Sequence, residues 1–149
     1  MNAEIPKAEA KVYTLKVKLT GRRATDREWI RVIEMLDGYT LYDVHCTIQE
    51  VINFDDDHMY EFYIGTRWNK RVAEIGEGAT PEDPGSYDDI ALSTIFPLEK
   101  GQKLYYWFDF GHGWMFEITC TSVAGVLNKR ARYPRVIAKS GRNPRQYSF

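Results

Sequence analysis

LYYWFDFGHGWMF, residues 104–116, decides how this chain is read. Seven of its residues are Tyr, Trp or Phe, and they flank a short polar stretch holding Asp109, His112 and two glycines. Side chains alternate across a strand. Leu104, Tyr106, Phe108 and Phe110 therefore share one face, and Trp114, Phe116, Ile118 and Cys120 share a face of a returning strand. Gly111 and Gly113 are expected to supply the positive φ of a tight connection. The stretch predicts a core hairpin, in which each aromatic cross-strand pair contributes roughly 0.2–1 kcal/mol.

Working outward, VYTLKVKL (12–19) alternates strictly, with Tyr13, Leu15, Val17 and Leu19 on one side. EWIRVIEML (28–36) reads as a second strand, separated from the first by the turn TGRRATD (20–26). HMYEFYIG (58–65) is a third strand, RWNKRVAEI a fourth ending at Gly76, and YPRVIA (133–138) the last. Between them, Thr40 and Asp43 fit a capping box. Leu41, Val44, Ile48, Val51 and Ile52 recur at helical spacing, so a helix is expected over 41–52, with His45 and Cys46 flanking its stripe. IALSTIF (90–96) predicts a short helix stopped by Pro97, and the Gly- and Pro-rich acidic stretch 76–89 a surface excursion. Runs of strands with one longer and one short helix on a face predict an α+β domain built on a mainly antiparallel sheet.

The chain of 149 residues is long enough for one domain with its own core. The expected organisation is a flexible leader over 1–10, a single α+β domain over 11–138 and a basic tail over 139–149. No apolar run approaches the ~20 residues of a membrane span, and MNAEIPKAEAK lacks the apolar region of a secretory signal. The expected location is cytoplasmic, with no membrane partner. Cys46 and Cys120 form no redox or metal spacing and read as small buried hydrophobes. Charge is uneven although the net charge is −1: residues 34–99 carry three Lys/Arg against fifteen Asp/Glu, and 128–149 carry seven basic residues and no acidic one. Such a basic run reads first as a mobile solvated tail; the asymmetry is also a hint of a polyanionic partner or of internal pairing between terminus and middle.

Several stretches together resemble the plasmid pRiA4b ORF-3-like protein family. They are YTLKVKLTG (13–21), the Trp29 strand, TLYDVHCTIQEVINFDDDHMYEFYIG (40–65), LSTIFPLEKGQKLYYWFDFGHGWMFEI (92–118) and YPRVI (133–137). The resemblance implies a compact α+β domain and an association with plasmids and other mobile elements. It implies no established activity. The chain departs from the family pattern at two places. His112 stands where the family has an acidic residue, and NPRQYSF (143–149) stands where it often has an acidic Pro- and Gly-containing end.

Four groups of residues bear on chemistry. Asp109, His112 and Trp114 sit at one tip; a carboxylate beside an imidazole suits acid–base work, yet no third partner is visible, and an Asp before glycines commonly bonds turn N–H groups. Asp55, Asp56, Asp57 and His58 offer ligand atoms, but consecutive residues cannot all point inward and the calcium-loop spacing is missing, so a solvated acidic loop is expected. His45 has no second His four positions away. No cofactor or metal is expected, and no nucleophile or phosphate-loop motif supports an enzyme. The fourth group is a surface: Tyr105 and Trp107 lie opposite in parity to the core residues, and Arg130, Arg132, Arg135 and Arg142 form a basic run. The expected function is a non-enzymatic binding domain with a protein partner, using Tyr105, Trp107, Asp109, His112, Arg130, Arg132 and Arg135. The alternative is nucleic-acid association through stacking and phosphate contacts; a weaker one is an enzyme at the 109–114 turn.

Overall fold

The computed structural model describes residues 10–24, 27–126 and 129–147. Nearly all of the expected leader and part of the 20–26 turn lie outside the described residues. In chain order the elements are β1 (Lys11–Thr20), β2 (Ile30–Leu36), α1 (Leu41–Ile52), β3 (Tyr60–Arg67), β4 (Lys70–Ala79), α2 (Leu92–Ile95), β5 (Lys103–Phe108), β6 (Trp114–Gly125) and β7 (Arg135–Ser140). The strands form one sheet in the order β4-β3-β5-β6-β1-β2-β7, and every pair is antiparallel. Among the described residues α-helix comprises the 12 residues of α1 and the four of α2, with two single 3-10 turns at Gly21–Ala24 and Gly85–Asp88, so sheet dominates more than an α+β label suggests.

The expected helix spans its expected residues for local reasons. Thr40 and Asp43 form the capping box. At the other end Asn53, in the left-handed region at φ 62°, donates its N–H back to Gln49 and Glu50. Leu41, Val44, Ile48 and Ile52 are buried against Leu15, Val17 and Leu19 of β1, Phe62 of β3 and Tyr106, Phe108 and Phe116 of the central hairpin. Val51 is only half-buried, because it faces the last strand at the margin of the sheet.

Two details of the hairpin differ from expectation. β5 stops at Phe108, so Phe110 leaves the core face and lies at the surface. Asp109 (φ 58°) and Gly113 (φ 69°) take the left-handed positions, and Gly111 does not. An Asp in that region costs less than most residues, because its short side chain bonds locally. The two cysteines are half-buried rather than buried. The stretch expected as a tail is docked: β7 runs to Ser140, the Asn143 side chain accepts from Trp29 Nε1 (2.8 Å), and Gln146 bonds the loop at Asp55.

Candidate functional site

The face of the sheet opposite α1 carries a second, smaller core of Tyr63, Tyr105 and Met115, roofed by Trp68 and Trp107. Trp68 and Asn69 form the two-residue link between β3 and β4, which folds back over the sheet. The Tyr63 hydroxyl donates to the Trp68 carbonyl and lies 3.3 Å from Met115 Sδ. Tyr63 and Tyr105 stack at 5.3 Å. Gly65 makes this approach possible: a Cβ there would sit 2.6 Å from the Lys70 carbonyl oxygen and 3.3 Å from the Tyr105 ring. Tyr105 is therefore buried, at 1% exposure, and the expectation that it is a stacking surface is corrected. Burial also raises its hydroxyl pKa, with a further push from Glu117.

Trp107 keeps part of its surface. Phe110 packs on it at 4.4 Å, and the Arg71 guanidinium lies 4.0 Å above Tyr63 and 5.6 Å from Trp107. Arg71 is steadied by an ion pair with Glu61. Between the β3–β4 link and the 109–113 turn runs an open groove of about 490 Å³. Its apolar lining is Trp68, Trp107, Phe110 and Met115, its polar walls carry Arg22, Arg71, Asn69 and His112, and among the described residues no acidic side chain lines it.

At the adjoining end of the sheet three segments meet. Asp109, at 3% exposure, accepts the His112 N–H on Oδ1 (3.2 Å), the turn role expected for it. Its Oδ2 has no partner of hydrogen-bond geometry, although His112 Nδ1 lies 2.9 Å and His58 Nε2 3.5 Å away. His58 Nδ1 is 2.8 Å from Asp57. Asp57 in turn accepts from the Tyr147 hydroxyl (2.5 Å) and Gln146 Nε2 (2.8 Å). Burial pushes the Asp57 pKa up, but the hydrogen bonds from Tyr147, His58 and Gln146 outweigh it and leave it lowered. The third partner missing from the Asp109–His112 pair is thus His58. The 55–58 loop is not merely solvated. His112 and the C-terminal segment, the two places of departure from the family pattern, come together here, with the His112 and Tyr147 rings 5.9 Å apart. The His58 and His112 rings stand 6.4 Å apart, and among the described residues no group of three His, Cys, Asp or Glu is placed to hold a metal ion.

The basic residues lie elsewhere. Arg130 and Arg132 precede β7 and are exposed, while Arg135 pairs with Glu34 (2.5 Å). β7 is four strands from β5, so the expected union of Trp107 with these arginines does not form.

His45 is not a flanking residue. It is buried, stacked on Tyr60 at 3.6 Å, with Nδ1 2.5 Å from the Tyr106 hydroxyl and Nε2 2.7 Å from Asp56. Gln49 closes a ring, donating to Tyr106 (2.9 Å) and accepting from the Asp56 N–H (3.0 Å). An N–H on Nε2 serves the Asp56 carboxylate; in the neutral ring that burial favours, Nδ1 accepts from the Tyr106 hydroxyl, which in turn accepts from Gln49. Burial pushes its pKa down to about 4, against the opposing pull of Asp56. The signal was present: 41, 45, 48 and 52 follow the helical stripe.

The architecture defines a class: a single antiparallel sheet, one face covered by a helix and the other by an aromatic roof beside an open groove. The chain belongs to the plasmid pRiA4b ORF-3-like protein family, whose model matches residues 11–146. It is similar to the crystal structure of a protein of unknown function, MM3350 from Methanosarcina mazei Go1, at 29% identity and a TM-score of 0.69, covering 87% of this chain and 69% of that one. No curated protein matches it significantly.

Proposed function

We propose that the chain is a non-enzymatic binding domain that holds an extended segment of a protein partner in the outer-face groove. The observation that carries this reading is the lining: Trp68, Trp107, Phe110 and Met115 between Arg22, Arg71 and His112, with no acidic side chain among the described residues. Such a surface suits an apolar anchor flanked by acidic residues, since aromatic and Arg side chains concentrate binding energy and like charges exclude basic segments. The Asp109, His58 and His112 groups face one another, which supports a role in shaping the groove wall rather than in chemistry. A phosphate track is disfavoured because the 129–145 basic run lies at the far edge of the sheet. Among the described residues no helix is long and apolar enough to cross a membrane. We place the domain in the cytoplasm, serving a mobile element as its family name suggests.

The test is a tryptophan-fluorescence titration with peptides carrying one aromatic or Leu anchor among acidic residues, run beside a single-stranded oligonucleotide at two salt concentrations. Peptide binding weakened about tenfold or more by Trp107→Ala supports the reading. Oligonucleotide binding that falls steeply with salt, with none for the peptides, replaces it with nucleic-acid association.

A further inference from the structure

The uneven charge of the chain has a spatial counterpart. Residues 74–89 include Glu74, Glu77, Glu82, Asp83, Asp88 and Asp89 and no Lys or Arg. Residues 129–145 include seven Lys/Arg and no Asp or Glu. The first run begins on β4 and the second surrounds β7, and these are the two edge strands of the sheet. Six strand spacings of about 4.8 Å hold the edges roughly 29 Å apart, beyond pairing within one molecule.

Among the described residues neither edge has a second strand beside it, although the 85–88 turn packs on β4 at Gly76. Every residue of β7 is exposed, including Val136 and Ile137, and β4 is exposed except at Ile75 and Ala79. Beside β7 a groove of about 670 Å³ runs along the margin of α1, with Glu50 its one acidic lining residue among the described ones. One wall is Arg31, at 5% exposure, whose guanidinium donates only to the carbonyls of Ile30, Ser140 and Gly141 and to the Asn143 side chain. No carboxylate pairs with it among the described residues, so a buried positive charge adds to the exposed ones at this edge. Partial pairing exists at both edges, Glu34 with Arg135 and Arg71 with Glu74 (3.8 Å). Glu77 and Glu82 on one side, and Arg132, Lys139 and Arg142 on the other, form no ion pair among the described residues.

We propose that the β4 edge of one copy, with its acidic turn, docks beside β7 of a second copy, so that the chain self-associates head to tail. An unpaired edge is a ready template for another strand. Charge selects which one: β7 beside β7 sets basic side chains against each other, and the two acidic turns repel, while the half of β4 that carries Glu74 and Glu77, beyond Lys70 and Arg71 at its start, is complementary to β7. The contact is heterologous and extends into a ring or an open chain of copies.

Sedimentation velocity of the full chain, from about 5 to about 200 µM and at about 50 and 500 mM salt, tests this together with two charge-reversed variants. One is Arg132→Glu/Lys139→Glu; the other is Glu77→Lys/Glu82→Lys. The expected result is a sedimentation coefficient that rises with concentration at low salt and falls back at high salt. Each variant alone stays monomeric, and an equimolar mixture regains association, because each restores the complement of the other. Recovery in the mixture also shows that both variants are folded. A wild-type chain that stays monomeric throughout at low salt overturns the proposal. So does association of either variant alone at the wild-type level, or a mixture that associates no more than its parts.

Discussion

The Tyr106 hydroxyl and Nδ1 of His45 share a hydrogen bond of 2.5 Å, which ties the centre of β5 to the buried face of α1. Burial disfavours the charged form of this imidazole and makes the fold sensitive to acid. In the folded state His45 holds off its proton until about pH 4, against an ordinary value of 6.5. Between these values the unfolded chain binds more protons than the folded one, so stability rises with pH across that window. The contribution reaches roughly 3 kcal/mol at most. Urea unfolding at several pH values should show the slope, and His45→Gln should flatten it. An unchanged slope in the variant would assign the acid sensitivity to other groups.

Phe108 is fully buried between Phe54, Tyr106 and the helix, so Phe108→Ala should cost about 3–5 kcal/mol in chemical denaturation. A cost under about 1 kcal/mol, the scale of a surface change, would mean that the core face of the hairpin is misassigned.

Asp109 offers two separable roles. Asp109→Asn keeps an acceptor for the His112 N–H and tolerates φ 58°, and should cost under about 1 kcal/mol. Asp109→Ala removes the acceptor and strains the turn, and should cost about 1–3 kcal/mol. Equal losses would show that the negative charge facing His58 and His112 matters more than the turn bond.

The outer roof depends on a glycine. Gly65→Ala places a methyl group 2.6 Å from the Lys70 carbonyl oxygen, so the β3–β4 link must shift. We expect a loss of about 1–3 kcal/mol and a red shift of tryptophan emission as Trp68 and Trp107 gain water. Unaltered emission with wild-type stability would mean that the link is not what shields Tyr105.

Much of this molecule was legible because its signals are local. The capping box at Thr40 and Asp43, the stripe through Leu41, Val44, Ile48 and Ile52, and the alternation in 12–19 and 104–108 depend only on neighbours along the chain. Alternation assigns Tyr105 to the outer face correctly. It cannot say what covers that face. Trp68, which roofs Tyr105, lies 37 positions earlier and reaches it only because β3 and β5 pair side by side. The same reason hid the Asp109–His58 contact and the binding of Asp57 by Gln146 and Tyr147, partners dozens of positions apart brought together by strand order. Composition revealed two blocks of opposite charge. The tertiary structure alone decided that they sit on opposite edges of the sheet, because the seven-strand order gives β4 and β7 one strand neighbour each and holds them too far apart to meet.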